Sequence, residues 1–456
     1  VPDALLATFA DVLSSCRPHF TTPTFFRFLI LAAGWILAGE PRRCVTETLV
    51  VTGVSGRLHW QAFHRFFSRA TWNIDGLGRT MLSLCAPLLD ARWIEVVVDD
   101  TLARKKGAHV FGAGMHVEPV SSTRRHRNLV LGHCWVVLSL VVHVPWSQRP
   151  WSIPLLFRLY RSKKEAAGKD YRTKAVLARE MVDLLLGWLP TTTRIRLLLD
   201  SGYMNRTMLR GLPLERVTVF GALKTNAALY RPPKPMAAKR RGRRRKKGER
   251  LATPAKMHGD RRWGWTTVTA KVYREERTQR VLSLKAQWYG VLGDLVAHVV
   301  VVDQDANKVR VFLCTDAEQT AQAVLEQIAR RWSIEVWNRD SKQDFGFADS
   351  PAWSEKAVRR TAPWAGLLSG LLVVWFHRVY QRVEVPLPER PWYYWKQDLS
   401  FADLIRTARV MLRPVEFVGW AQAVAARDAS AFVAAPHSKN AAESPSTEVN
   451  QNALGA

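Results

Sequence analysis

The chain has 456 residues, 47% of them apolar and 23% charged, a balance that excludes a disordered chain and allows two or three domains with real cores. Its 67 lysines and arginines against 39 acidic residues leave a net charge of +28, a field that attracts polyanions, of which nucleic acid is the simplest. The longest apolar stretch, 362–376, is shorter than the ~20 residues a membrane-crossing helix needs, so no membrane partner is expected. Five widely spaced cysteines, Cys16, Cys44, Cys85, Cys134 and Cys314, form no C-x-x-C pair, which argues against a disulfide framework and a zinc site. No signal peptide is visible, so a reducing cytoplasm beside the nucleoid is expected; the chain opens at Val1, and a few preceding residues are expected to be missing.

In chain order, residues 1–90 read as helical. The aromatic and basic segment with Trp60, His64, Arg65, Phe66, Phe67 and Arg69 suits a small DNA-binding domain, or equally a bundle that only packs on the core; no recognition helix can be named. From 91 to 210 the pattern is α/β: a strand over 94–98, a basic turn with Arg104, Lys105 and Lys106, further strands around 110–117 and 129–144, a helix over 168–188, and a strand over 195–199. Residues 211–314 contain strand-like runs that suggest a β-rich insertion domain. Within it the run 239–250 holds nine basic residues and one glutamate, including Arg243, Arg244, Arg245, Lys246 and Lys247, and reads as a mobile phosphate-clamping loop. Residues 315–383 return to helix, 384–433 form a C-terminal helical region, and the small, polar tail 434–456 is expected to be disordered.

Three acidic residues stand out in this order. Asp99 ends the apolar run IEVVV, Asp200 ends RIRLLL, and Glu335 lies on a helix predicted over 317–342, where Val324, Leu325, Ile328, Trp332 and Val336 recur at helical spacing. A carboxylate at the carboxyl end of a strand sits where open α/β sheets bind ligands. At ~100° per residue, Arg331, Glu335, Arg339 and Lys342 fall along one helix face. Three carboxylates without nearby cysteine or histidine suit Mg²⁺ or Mn²⁺. Two such ions ~3.5–4 Å apart would activate an attacking oxygen and stabilise a leaving one, which implies phosphoryl transfer on nucleic acid. Strand alternation puts Asp99 with Glu95 and Val97, and Asp100 with Val96 and Val98, and by itself leaves either aspartate as the ligand.

Arg331-x-x-x-Glu335-x-x-x-x-x-x-Lys342, preceded by Ile328 where tyrosine is usual, resembles the Y-x(2)-R-x(3)-E-x(6)-K signature of bacterial insertion-sequence transposases of the DDE class. Asp99-Asp100-Thr101 and Asp200-Ser201-Gly202-Tyr203 are similar to that family's first and second acidic motifs, and the likeness spans roughly residues 90–380. It implies a ribonuclease H-like catalytic core interrupted by the β-rich insertion and preceded by the helical domain. It also implies Asp99 rather than Asp100 as the ligand, two metal ions per site, and a homodimer bound to double-stranded DNA that cuts and transfers strands. Many members release their element through hairpin ends, where an aromatic ring of the insertion stacks on a flipped base. Trp288 is the candidate for that ring here, with Trp263 and Trp265 behind it. Arg331 and Lys342 are expected to hold phosphates beside the metal site. A DNA-binding relative that no longer cuts, and a nuclease that does not rejoin, are the alternatives.

Overall fold

The computed structural model describes residues 2–433 apart from 40–41, 91, 108, 119–120, 124, 167, 235–244, 259, 261, 274, 305–307, 386–395 and 397. Arg243, Arg244 and the tail 434–456 therefore lie outside the described residues. Ten strands form one mixed sheet: β1 (Trp93–Arg104), β2 (Gly114–Val117), β3 (Leu129–Val144), β4 (Ser147–Tyr160), β5 (Arg194–Leu199), β6 (Val217–Leu223), β7 (Trp265–Val272), β8 (Glu275–Gln287), β9 (Val296–Gln304) and β10 (Lys308–Cys314). Strand β3 carries β2 and β4 on one edge and β1 on the other, and from β1 the order runs β5-β6-β10-β9-β8-β7. β1, β5 and β6 are parallel; the remaining neighbours are antiparallel.

The helices are α1 (Pro2–Ser14), α2 (Thr22–Leu37), α3 (Val45–Val51), α4 (Gln61–Ser68), α5 (Ile74–Leu84), α6 (Lys174–Trp188), α7 (Arg206–Leu209), α8 (Pro254–Met257), α9 (Tyr289–Leu292), α10 (Ala321–Arg330), α11 (Trp332–Gln343), α12 (Glu355–Val379), α13 (Phe401–Leu412) and α14 (Phe417–Val433). Among the described residues no helix is long and apolar enough to cross a membrane.

The near-continuous apolar run of β3 is that of a strand covered on both faces. Helix α6 packs on β3 and β4, and α11 on β4 and β1. Phe157 of β4 joins two helices: its ring lies 6.2 Å from that of Trp337 on α11, and a Cβ on Gly366 of α12 would stand 2.5 Å from its Cζ. Trp337 Nε1 donates to Ser369 Oγ at 3.0 Å, tying α11 to α12. Buried α12 carries Trp364, Leu367, Leu371, Val374 and Trp375 into the core. Its Arg360 donates to the carbonyls of Phe67 and Ala70 and stacks 4.5 Å over Trp72. The amino-terminal helices thus share one hydrophobic core with α12, α13 and the sheet.

Several elements differ from those expected: the first strand does not end at Val98 but runs through Asp99 to Arg104, and β4 lies where no strand is expected. Val217–Leu223, inside the span 211–314 expected to be the insertion, lies parallel beside β5 in the sheet that carries both aspartates, and β7–β10 extend that sheet. The helix expected over 317–342 is two helices. Arg331 keeps helical angles, but its N–H bonds to Ile328 O and its carbonyl accepts from the N–H of Ile334, both at i to i+3 spacing. Such a tightened turn interrupts the regular i to i+4 ladder.

Candidate active site

The parallel pairing of β1 with β5 ends at Val98 opposite Leu199, so Asp99 and Asp200 are each the next residue along. Successive side chains of β1 point to opposite faces, and Asp99 is on the face that α11 covers. There Arg331 Nη1 stands 3.5 Å from Asp99 Oδ2, and Nη2 donates to Glu335 Oε1 at 2.6 Å. The charge of Asp200 acts on both Asp99 and Arg331. Asp99 of β1 and Glu335 of α11 thus share one guanidinium, and Asp200, in the turn after β5, is near enough for its charge to act on it. The Arg331 side chain is 17% exposed.

Burial raises Asp99 to about 7, with the Asp100 and Asp200 charges adding to the rise and Arg331 and the Asp100 N–H, 2.8 Å from Asp99 Oδ1, opposing it. Burial works against the charge of Arg331, but Glu335, Asp99 and Asp200 outweigh it and push its pKa above the ordinary arginine value. Burial also lowers Lys342, against the opposing pull of Cys134, Glu118 and Asp99. A site that buries acid so deeply favours neutralisation by a cation. Its donors are all carboxylate oxygens, the set a hard divalent ion takes. In this conformation the guanidinium stands among them, and no three His, Cys, Asp or Glu side chains among the described residues converge as a ligand set.

Asp100, the alternative to Asp99, points the other way. Its Oδ2 accepts from Lys174 Nζ at 2.6 Å and from Cys134 Sγ at 3.5 Å, and its Oδ1 accepts from Tyr203 Oη at 2.9 Å. These partners come from α6, from β3 and from the turn after β5.

The other expected contacts are scattered. Arg339 turns off the acidic face and pairs with Asp340 at 2.8 Å. Arg104 is in an ion pair with Glu118. Lys105 donates to the carbonyls of Ala348 and Ser350, each at 2.8 Å, and burial lowers its pKa to about 8, so it acts as a cross-tie. Lys106, Arg245, Lys246 and Lys247 are exposed; the Lys247 ammonium lies over the rings of Tyr230 and Tyr289.

Trp288 is on the wrong part of the sheet. The row Lys285–His298–Cys314–Phe220–Leu198–Val97 runs across six strands. Asp99 lies beyond that row in one direction and Trp288 beyond it in the other, with five strand spacings, ~24 Å, between β1 and β8. Trp265 is covered by Arg280 at 5.1 Å, and both Trp263 and Trp265 pack against the core.

A pair that the sequence reading missed lies closer. The β7–β8 hairpin folds over the junction of α10 and α11, where Lys271 N–H meets Glu326 Oε1 at 3.2 Å. Tyr273 at its tip, held at φ +54°, sets its ring 5.8 Å from that of Trp332, the residue after Arg331. A bulky residue in this left-handed region costs on the order of 1–3 kcal/mol. Both rings are exposed, 42% and 47%. They line a cleft of about 670 Å³ with Arg149, Lys271, Arg330 and Arg339. The signal available in the sequence was helical phase, which sets Trp332 ~100° round from Arg331.

The family model described as DDE superfamily endonuclease matches residues 16–287 of the chain. That span includes Asp99, Asp100 and Asp200 and ends before Glu335, whose place beside them rests on the geometry above. No curated protein matches the chain.

Proposed function

The chain belongs to the DDE superfamily of endonucleases, and from that premise we propose that it is a transposase, which binds the terminal repeats of its own insertion sequence as a dimer, cuts the DNA at their ends and joins the freed 3′-hydroxyl to a new site. The observation that carries this reading is that Asp99 and Glu335 share the Arg331 guanidinium while Asp200 stands one residue past the strand pairing that also ends beside Asp99. The order of three antiparallel strands, β4, β3 and β1, followed by two strands parallel to β1 supports a ribonuclease H-like core for 91–223 and 315–383, with the β-rich insertion between.

Asp99, Asp200 and Glu335 would hold two Mg²⁺ or Mn²⁺ ions, which supply Lewis-acid stabilisation of the attacking and leaving oxygens. Arg331 and Lys342 exchange their carboxylate neighbours for phosphates of the cleaved strand, since guanidinium and ammonium groups bind either anion. Exposed Lys106, Arg245, Lys246 and Lys247 belong to the wider basic surface that holds the duplex. For a hairpin intermediate, Tyr273 and Trp332 replace Trp288 as the rings that receive an unpaired base, because both are exposed in one cleft with Arg149, Lys271, Arg330 and Arg339, and Trp332 follows Arg331 in the chain.

The test is cleavage of a labelled duplex carrying the terminal repeat and its flank, with and without Mg²⁺, by the parent protein and by Glu335→Ala. Metal-dependent nicking at the element boundary followed by joined products is expected, with cleavage lost and DNA binding kept in the variant. Cleavage without joined products would mean a nuclease. Tight binding without cleavage would mean a DNA-binding relative.

A further inference from the structure

The ladder between β1 and β5 stops one residue short of both aspartates, so backbone pairing of these two strands does not set the separation of Asp99 and Asp200. A side-chain tie on the opposite face of β1 does cross that gap. Asp200 opens a turn in which its carbonyl accepts from the N–H groups of Tyr203 at 3.0 Å and Met204 at 3.2 Å. Tyr203 is buried, and its hydroxyl donates to Asp100 Oδ1 at 2.9 Å. Asp100 is bonded to Asp99 in the chain, and its own N–H donates to Asp99 Oδ1 at 2.8 Å. Asp100 therefore links the turn that carries one acid to the backbone and side chain of the other.

The far oxygen of Asp100 is held as firmly. Lys174, the first residue of α6, reaches it at 2.6 Å, behind a cap in which Thr173 accepts from the Val176 N–H. Cys134 of β3 donates to the same oxygen at 3.5 Å. Lys174 also neutralises Asp100, so that the net negative charge of the region stays with Asp99, Asp200 and Glu335. Stability alone is a poor reason for this arrangement: Lys174 and Asp100 are 37% and 29% exposed, and ion pairs so open to water contribute at most ~1 kcal/mol.

We propose that Asp100, Tyr203 and Lys174 are positioning residues, a clamp that holds Asp99 and Asp200 at the separation needed to share a divalent cation. The proposal rests on the reading of Asp99 and Asp200 as metal ligands. Partners one step outside a metal's own ligands typically change metal affinity by ~10–100-fold, and Tyr203→Phe, which removes one hydroxyl from a buried ring, should fall in that range.

The test uses the full chain bound to a terminal-repeat duplex and reads Mn²⁺ binding by calorimetry, the Mn²⁺ concentration for half-maximal cleavage, and Tm. Tyr203→Phe and Asp100→Asn are expected to raise the Mn²⁺ Kd and the half-saturating concentration together, with cleavage recovered at high Mn²⁺ and DNA affinity unchanged. Lys174→Met is expected to act in the same direction. Unchanged Mn²⁺ affinity in Tyr203→Phe, or a loss of cleavage that Mn²⁺ does not rescue, overturns the clamp. Asp99→Asn and Asp200→Asn separate the two levels. If they lose Mn²⁺ binding while Tyr203→Phe keeps it, the clamp alone fails. If they bind Mn²⁺ like the parent, the metal-site reading fails and the clamp with it. Loss of Mn²⁺ binding in Asp100→Asn but not in Asp99→Asn makes Asp100 a ligand and also overturns the clamp.

Discussion

Replacing Arg331 should make the DNA-free protein less stable and better at binding metal at once. Its guanidinium lies 3.5 Å from Asp99 and 2.6 Å from Glu335, and a unit-charge pair at ~4 Å is worth ~4 kcal/mol before desolvation at an effective dielectric constant of ~20. Two such contacts with the nearby Asp200 charge form a strong local field, part of which is cancelled by the cost of burying the arginine. Arg331→Met leaves the carboxylates without that cation. Breaking a buried pair on one side typically costs ~3–5 kcal/mol, and the partial exposure of Glu335, 30%, puts the expected loss at the lower end.

The same deficit is what a divalent ion would relieve. If one to two tenfold steps of affinity survive solvent screening, ~1.4–2.8 kcal/mol, Mn²⁺ should bind Arg331→Met ~10–100-fold more tightly than it binds the parent in the absence of DNA. Calorimetric titration with Mn²⁺ measures this directly, and thermal unfolding should show a larger Mn²⁺-dependent rise in Tm for the variant, because a ligand stabilises in proportion to the logarithm of one plus its concentration divided by its Kd. Cleavage should still fall, since Arg331 also serves the phosphates. A variant that binds Mn²⁺ no better than the parent would refute the idea that arginine and cation compete for one place.

Three further outcomes follow from particular contacts. Because native Asp99 keeps its proton up to about pH 7 while the unfolded residue loses it near 3.9, the metal-free protein should lose stability as pH rises across that window. At ~1.4 kcal/mol per pH unit the loss is bounded at about 4 kcal/mol; urea unfolding at pH 5 and pH 8 should show it, and Asp99→Asn should remove it. Trp332→Ala and Tyr273→Ala should each weaken capture of an unpaired base by ~1–3 kcal/mol, read by fluorescence of a base analogue at the element end, whereas Trp288→Ala should not. Gly78→Ala would place a Cβ 2.2 Å from the Leu155 carbonyl and should cost ~1–3 kcal/mol, while Gly187→Ala in α6, with no atom within 4 Å, should gain up to ~1 kcal/mol by denaturant unfolding.

The legible parts of the site are the local ones. An apolar run that stops at an aspartate announces both Asp99 and Asp200, although only β5 ends there and β1 runs on to Arg104, and the i to i+4 spacing of Arg331 and Glu335 is a contact any helix makes. What depended on pairing at a distance was not legible. Nothing within Val217–Leu223 distinguishes a strand parallel to β5 from a strand of the insertion, because neighbour and direction are set by the connection, not by the residues. Trp288 is a strand-end aromatic of ordinary appearance, and only the register through β9, β10 and β6 shows that it lies beyond the far side of the row from Asp99. Arg339 was placed too generously: eight residues at ~100° leave it ~80° from Arg331, enough to turn it toward the cleft.

The two adjacent aspartates show most sharply what alternation supplies and what it withholds. A pleated strand assigns Asp99 and Asp100 to opposite faces before anything else is known, so one of them had to serve a different purpose. The choice is made by what covers each face, α11 with its arginine and glutamate on one, α6 with its lysine and the Tyr203 turn on the other. An acid meeting only a lysine, a phenol and a thiol is already satisfied by them. An acid sharing one arginine with another acid is satisfied only until that arginine has a phosphate to go to, and on the proposed reading DNA would bring phosphate to this surface. On the same reading, the exchange of Arg331 from carboxylate to phosphate would then deliver the substrate strand and vacate the cation's place in one movement, which would give a physical reason for the proposed metal site to assemble only on DNA.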